Sequence, residues 1–126
     1  MPITQKFEAN GRIVCVKMAD PWTVDEMLAA FKEAERHLEA ATKPIHMLVD
    51  MREAVRTTHG ALRAREAPVL RHPMGGEIAV FGINLAGRIL AETVLRLARF
   101  QRAHFFETEA EARAYLNKLI AEEAQV

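Results

Sequence analysis

Asp50 closes the apolar run Ile45-His46-Met47-Leu48-Val49. A carboxylate at the end of a buried strand can serve a site, or it can accept hydrogen bonds from amides of the following turn. His59 follows at a distance where a loop could fold it back. Asp50 with His59 is therefore a candidate acid–base pair. His59 stands in the stretch Thr57-Thr58-His59-Gly60. A hydroxyl at a helix start caps the helix or accepts a phosphoryl group that the helix amides then stabilise. His59 itself is an acid, a base, a ligand or a solvent-facing first-turn residue.

Other chemistries find less support. The chain has no serine, which excludes every serine-nucleophile mechanism. The five histidines, His37, His46, His59, His72 and His104, make no HxxxH pair and stand beside no carboxylate in a metal motif. The single cysteine, Cys15, sits in the apolar stretch Ile13-Val14-Cys15-Val16 and reads as a small buried hydrophobe or a reactive thiol. Gly82-Ile83-Asn84-Leu85-Ala86-Gly87-Arg88 has glycines spaced as in a phosphate loop. That loop needs Lys and then Ser or Thr after its second glycine, and Arg88-Ile89 stand there instead. Gly75 and Gly76 precede a strand and read as turn residues. No metal and no cofactor is expected.

These residues belong to a chain of 126 residues, enough for one domain with one core. Half the residues are hydrophobic and 27% are charged, a balance that argues against disorder. Seventeen basic and seventeen acidic side chains cancel, which removes the electrostatic case for nucleic-acid binding. No apolar run reaches the length of a membrane span, and MPITQKFEANGR lacks an apolar leader core, so a cytoplasmic protein is expected. One cysteine fits that reducing compartment.

The pattern of elements predicts an α/β fold. A single layered domain is expected, with a mainly parallel five-stranded sheet, an N-terminal antiparallel β-hairpin and four helices, in the order ββαβαβαβα. Residues 3–9 and 12–18 form the hairpin around a two-residue Asn10-Gly11 turn of type I′. Asp20-Pro21 stops the second strand. Thr23-Val24-Asp25-Glu26 is a capping box, with Trp22 and Met27 placed as a hydrophobic staple. That helix ends at Thr42-Lys43-Pro44. Strands follow at 45–50, 78–83 and 104–107. Helices follow at 57–67, broken by Pro68, at 85–101, capped by Asn84, and after the box Thr108-Glu109-Ala110-Glu111. Ala112, Tyr115, Leu116, Leu119 and Ile120 make the last helix's buried stripe.

Ligand sites in open α/β sheets gather beyond the carboxyl ends of the strands. That rim should collect Asp20, Trp22, Asp50, Arg52, Arg56, Thr57, Thr58, His59, Asn84 and Arg88. The helix at 85–101 is apolar over more than half its circumference, wider than packing on one sheet face requires. Neighbouring helices can cover the surplus, or Leu90, Val94 and Leu97 can meet a partner, most simply a twofold copy. Charge is segregated along the chain. Residues 22–42 carry two basic and five acidic side chains, −3; residues 51–72 carry five and two, +3. Residues 85–104 carry four and one, +3; residues 105–126 carry two and five, −3. Such faces steer self-association, select an anionic partner, or simply solvate the helices.

The layout resembles the SpoIIAA-like (STAS) domain, whose fold is related to CRAL-TRIO lipid-binding domains. The resemblance rests on the opening hairpin, on Leu48-Val49-Asp50, on Thr57-Thr58-His59-Gly60, and on the closing His104-Phe105-Phe106-Glu107-Thr108-Glu109-Ala110-Glu111-Ala112 with Tyr115-Leu116. Anti-sigma-factor antagonists of that family carry Asp-Ser-x-Gly at the second helix start, where the serine is phosphorylated. By position Thr57 replaces the aspartate, Thr58 the phosphoacceptor, and Gly60 the glycine. The acid is missing here and the acceptor is a threonine. The resemblance implies a non-enzymatic bacterial module for protein interaction or small-ligand binding, and the preferred reading is a regulatory module that works through protein contact, as a homodimer or with another protein. The rivals are a small-molecule or lipid binder with an apolar cavity under the helix at 85–101, taking an apolar or anionic ligand, and an enzyme using Asp50 and His59.

Overall fold

The computed structural model describes residues 3–56 and 59–124, apart from the His59 side chain. Strands β1 (Ile3–Glu8) and β2 (Ile13–Ala19) are followed by α1 (Val24–Glu39) and β3 (Ile45–Glu53). Two 3₁₀ segments, His59–Glu66 and Pro68–Arg71, lead to β4 (Gly75–Phe81). Helix α2 (Leu85–Leu97), β5 (Ala103–Phe106) and α3 (Glu109–Glu123) complete the chain. The expected α/β architecture is present. The five strands form one sheet in the order β1-β2-β3-β4-β5, antiparallel between β1 and β2 and parallel thereafter. Among the described residues no helix is long and apolar enough to cross a membrane.

Sequential order has a consequence for the layers. Right-handed crossovers that always step the same way leave every connection on one face. Helix α1, the 3₁₀ segments and α2 indeed pack against one another there. Among the described residues, helix α3 alone covers the other face. Alternation sorts the strand residues accordingly. Val14, Val16 and Met18 face the three connections, with Met47, Val49 and Ile78 packed beside them. Ile13, Leu48, Ala79 and Phe81 face α3, against Ala112 and Leu116. Strand order never reverses, so the sheet has no topological switch point, where open sheets usually form their ligand crevice.

Four local expectations are corrected. The hairpin loop is not a two-residue type I′ turn: Glu8 pairs with Ile13, which leaves residues 9–12 as a four-residue loop. Ala9 joins Asn10 and Gly11 at positive φ, with angles of 53°, 58° and 82°. The segment at 57–67 is 3₁₀ rather than α-helical from His59 onward. Ala61, Ala64, Ala67 and Leu70 recur every third residue and are all buried, and a repeat of three matches the 3₁₀ turn. Strand β4 begins at Gly75, so Gly75 and Gly76 are strand residues and not a turn. Helix α2 stops at Leu97, because Arg99 takes the left-handed conformation with φ 59°.

The predicted caps are present. Thr23 Oγ accepts from Glu26 N at 3.1 Å, and the Glu26 carboxylate accepts from Thr23 N at 3.0 Å. Asn84 Oδ1 accepts from Gly87 N at 2.7 Å. Trp22 and Met27 are both buried in one cluster, as a staple requires.

Candidate functional site

The rim divides into three separate groups. Asp20, at the end of β2, accepts from the amides of Val55 and Arg56 at 3.0 and 3.2 Å. Asn84 donates from Nδ2 to Val55 O at 2.9 Å while capping α2. These bonds tie the loop after β3 to β2 and α2.

Asp50 belongs to a second group on the α3 face. It accepts from Arg52 Nε at 3.1 Å, from Arg52 Nη2 at 2.8 Å and from Arg52 N at 3.0 Å. The Arg52 guanidinium also lies 5.1 Å from the Phe81 ring centre and 3.5 Å from Glu109. Gly82 permits this, since a Cβ there would stand 2.4 Å from Arg52 Cγ. Arg52 holds the Asp50 carboxyl below its usual range. A carboxylate so occupied is a weak base, and its ties are those of a structural clasp. Arg88 forms the third group, paired with Glu92 at 2.9 Å and stacked 4.9 Å over Phe105. Thr57, Thr58 and the side chain of His59 lie outside the described residues, and with them the phosphoacceptor position and the Asp50–His59 pairing.

Trp22 leaves the rim altogether. It is only 5% exposed and lines a cavity of about 200 Å³ between the sheet and its three connections. Val16, Met27, Ala64, Leu90 and Val94 are also in the wall, which is overwhelmingly apolar. The space extends from Phe7 and His37 to Ile83 and Arg56. Its breadth follows from sequence: the 3₁₀ segment presents alanines to the sheet where longer side chains would have filled the layer. Trp22 Nε1 has no hydrogen-bond partner among the described residues. A buried N–H without an acceptor is costly, and native interiors rarely leave one so.

The predicted contact residues of α2 also separate. Val94 is buried in the core and Leu90 is half-buried, and both line the cavity instead of reaching outward. Leu97 is exposed. The outward apolar row is Leu85, Ile89 and Leu97, at 75%, 58% and 54% exposure, with Val55 near its start.

Two polar clusters on the α3 face were not foreseen. His46, 2% exposed, accepts at Nδ1 from Glu77 N at 2.9 Å. Its proton is therefore on Nε2, which donates to Glu123 at 2.9 Å. Arg12 binds the same carboxylate. Burial pushes the Glu123 carboxyl up, but Arg12 and His46 together outweigh it and leave the group below its ordinary value. In the second cluster Tyr115 Oη, Glu77 Oε1 and His104 Nε2 lie 2.9 Å from one another. Burial, then the Glu77 carboxylate, pushes the Tyr115 phenol up to about 12, so it stays protonated as a donor. Both clusters fasten α3 to the sheet. Their partners lie up to 111 positions apart, and local spacing carries no signal for such pairs.

Cys15 is half-buried, and burial followed by the neighbouring Glu8 pushes its thiol up to about 11. That thiol is a poor nucleophile at neutral pH. Among the described residues no group of three His, Cys, Asp or Glu side chains is placed to share a metal ion. No protein-family model matches the chain, and no curated protein matches it.

Proposed function

We propose that this chain is a non-enzymatic, SpoIIAA-like module that binds a small amphiphile in the cavity beneath α2. The carrying observation is the orphaned indole N–H of Trp22 in a predominantly apolar wall. A cavity of about 150 Å³ already admits benzene, and this one is larger at about 200 Å³. Left empty, such a volume costs roughly 5 kcal/mol, comparable with the whole stability of a marginal domain. An apolar ligand relieves that cost, and one acceptor oxygen satisfies Trp22. Arg56 lines the same end of the space and suits a carboxylate head. Cys15, an unpaired and half-buried thiol, supports placement in a reducing cytoplasm.

Native mass spectrometry of the purified chain with octanoate tests this reading. One-to-one adducts that Trp22→Phe weakens are expected. Absence of any adduct at saturating octanoate overturns it.

A second reading, contact between two copies, draws on the exposed row Leu85, Ile89 and Leu97. Three large apolar side chains along one helix exceed the scattered exposure of a typical surface. Light scattering separates the readings: Ile89→Asp abolishes a dimer built on this row and leaves octanoate binding intact.

A further inference from the structure

We infer that the open edge of β5 is a docking strip for an extended acidic peptide segment of a partner protein, which adds to the sheet as a sixth strand. Strand β5 pairs with β4 on one side and, among the described residues, with no strand on the other. Its free edge borders an open cleft of about 760 Å³ between α2 and α3. Unpaired strand edges accept extended chains through main-chain hydrogen bonds.

Charge selects the occupant. Arg88, Glu92 and Arg96 of α2, with Arg99 just beyond its end, line the cleft, three basic side chains to one acidic. Arg96 and Arg99 enter no ion pair among the described residues. Arg88 and Arg96 are eight residues apart, roughly 12 Å along a helix, and the four residues of β5 span roughly 13 Å. Arg88 is held by Glu92, so the unpaired charge beside the strand is that of Arg96 and Arg99, and the strip stays net positive, which suits an acidic chain laid along it. Bases could also stack on aromatic rings, but Arg88 covers the Phe105 face, and the unpaired strand edge offers main-chain partners that a nucleic acid cannot match.

Arg99 gives a second, independent reason. Helix α2 ends in a Schellman motif: Phe100 N donates to Leu95 O at 2.9 Å and Arg99 N donates to Arg96 O at 3.1 Å. The residue at Arg99's place in this motif is in the left-handed region, where glycine is strongly favoured. An arginine there costs stability relative to glycine, and Arg99 lines the cleft.

Fluorescence anisotropy with a short labelled peptide alternating Glu and Val tests the proposal. Saturable binding is expected, weakening with salt, and lost both for the Lys-for-Glu peptide and for one N-methylated on the strand-facing amides. Arg99→Gly is expected to raise the melting temperature yet weaken binding about tenfold, the loss of one charge-assisted contact. A structural role alone would move only the melting temperature. Absence of binding, equal binding of the N-methylated peptide, tighter binding of oligothymidylate, or unchanged affinity in Arg99→Gly overturns the inference.

Discussion

A side chain on Gly76 and the ring of His46 cannot occupy the same space: a Cβ at Gly76 would stand 2.3 Å from His46 Nδ1. The conflict arises at a bulge. Ile45 pairs with Gly75 and Met47 with Ile78, so Gly76 and Glu77 together oppose His46. The extra residue turns Glu77 N toward His46 Nδ1 and locks the ring.

Gly76→Ala is expected to destabilise the fold by about 2 kcal/mol, the scale of overpacking in a filled interior. Urea unfolding followed by circular dichroism measures this. An unchanged midpoint would mean that the His46 ring moves aside freely.

Glu123 sets an acid limit on stability. Its folded carboxyl lies below the ordinary value, so its contribution is present above the ordinary carboxylate range and is lost as pH falls through the depressed folded value. Asp50 and Glu8 are shifted the same way, chiefly by Arg52 and by Arg113. Melting temperature should therefore fall with pH below about 4, and Glu123→Gln should lower it at pH 7 and flatten the acid limb. Parallel acid limbs in the two proteins would show that the Arg12–Glu123–His46 cluster contributes nothing.

Cys15 is expected to react slowly. A thiol raised from 9.0 to about 11 carries about a hundredfold less thiolate at pH 8. Native protein should consume Ellman's reagent about a hundredfold more slowly than urea-unfolded protein. Equal rates would place the thiol in a more open and less acidic setting.

Filling the cavity should trade binding for stability. Ala64 is 3% exposed and lines the space. Ala64→Leu is expected to gain about 1 kcal/mol in urea unfolding and to lose octanoate adducts. A loss of stability would indicate that the cavity near Ala64 is too narrow for a branched side chain.

The layered fold was legible because its signals are local. Asn84 and the Thr23–Glu26 box announce helix starts, and the runs Ile13–Val16 and Ile45–Val49 announce buried strands. Even the 3₁₀ segment had a signal, the repeat of three through Ala61, Ala64, Ala67 and Leu70, which a search for period 3.6 passes over. The site was less legible. Placing Trp22 and Asp50 on one rim assumed a single rim, whereas one side chain turns into the core and the other faces α3. The cavity is what remains after packing, and the orphaned Nε1 depends on every neighbour at once. Arg12, His46 and Glu123 meet only because the last turn of α3 crosses the start of β2 and β3, a relationship of tertiary structure alone.

The Trp22 indole resonance tests the central claim most directly. Trp22 is the only tryptophan of the chain, so its Nε1–H gives a single indole cross-peak in a nitrogen–proton correlation spectrum. Titration with octanoate is expected to move that peak downfield in a saturable one-to-one manner as the N–H gains an acceptor. An indole peak that stays in place through saturating octanoate would contradict the account.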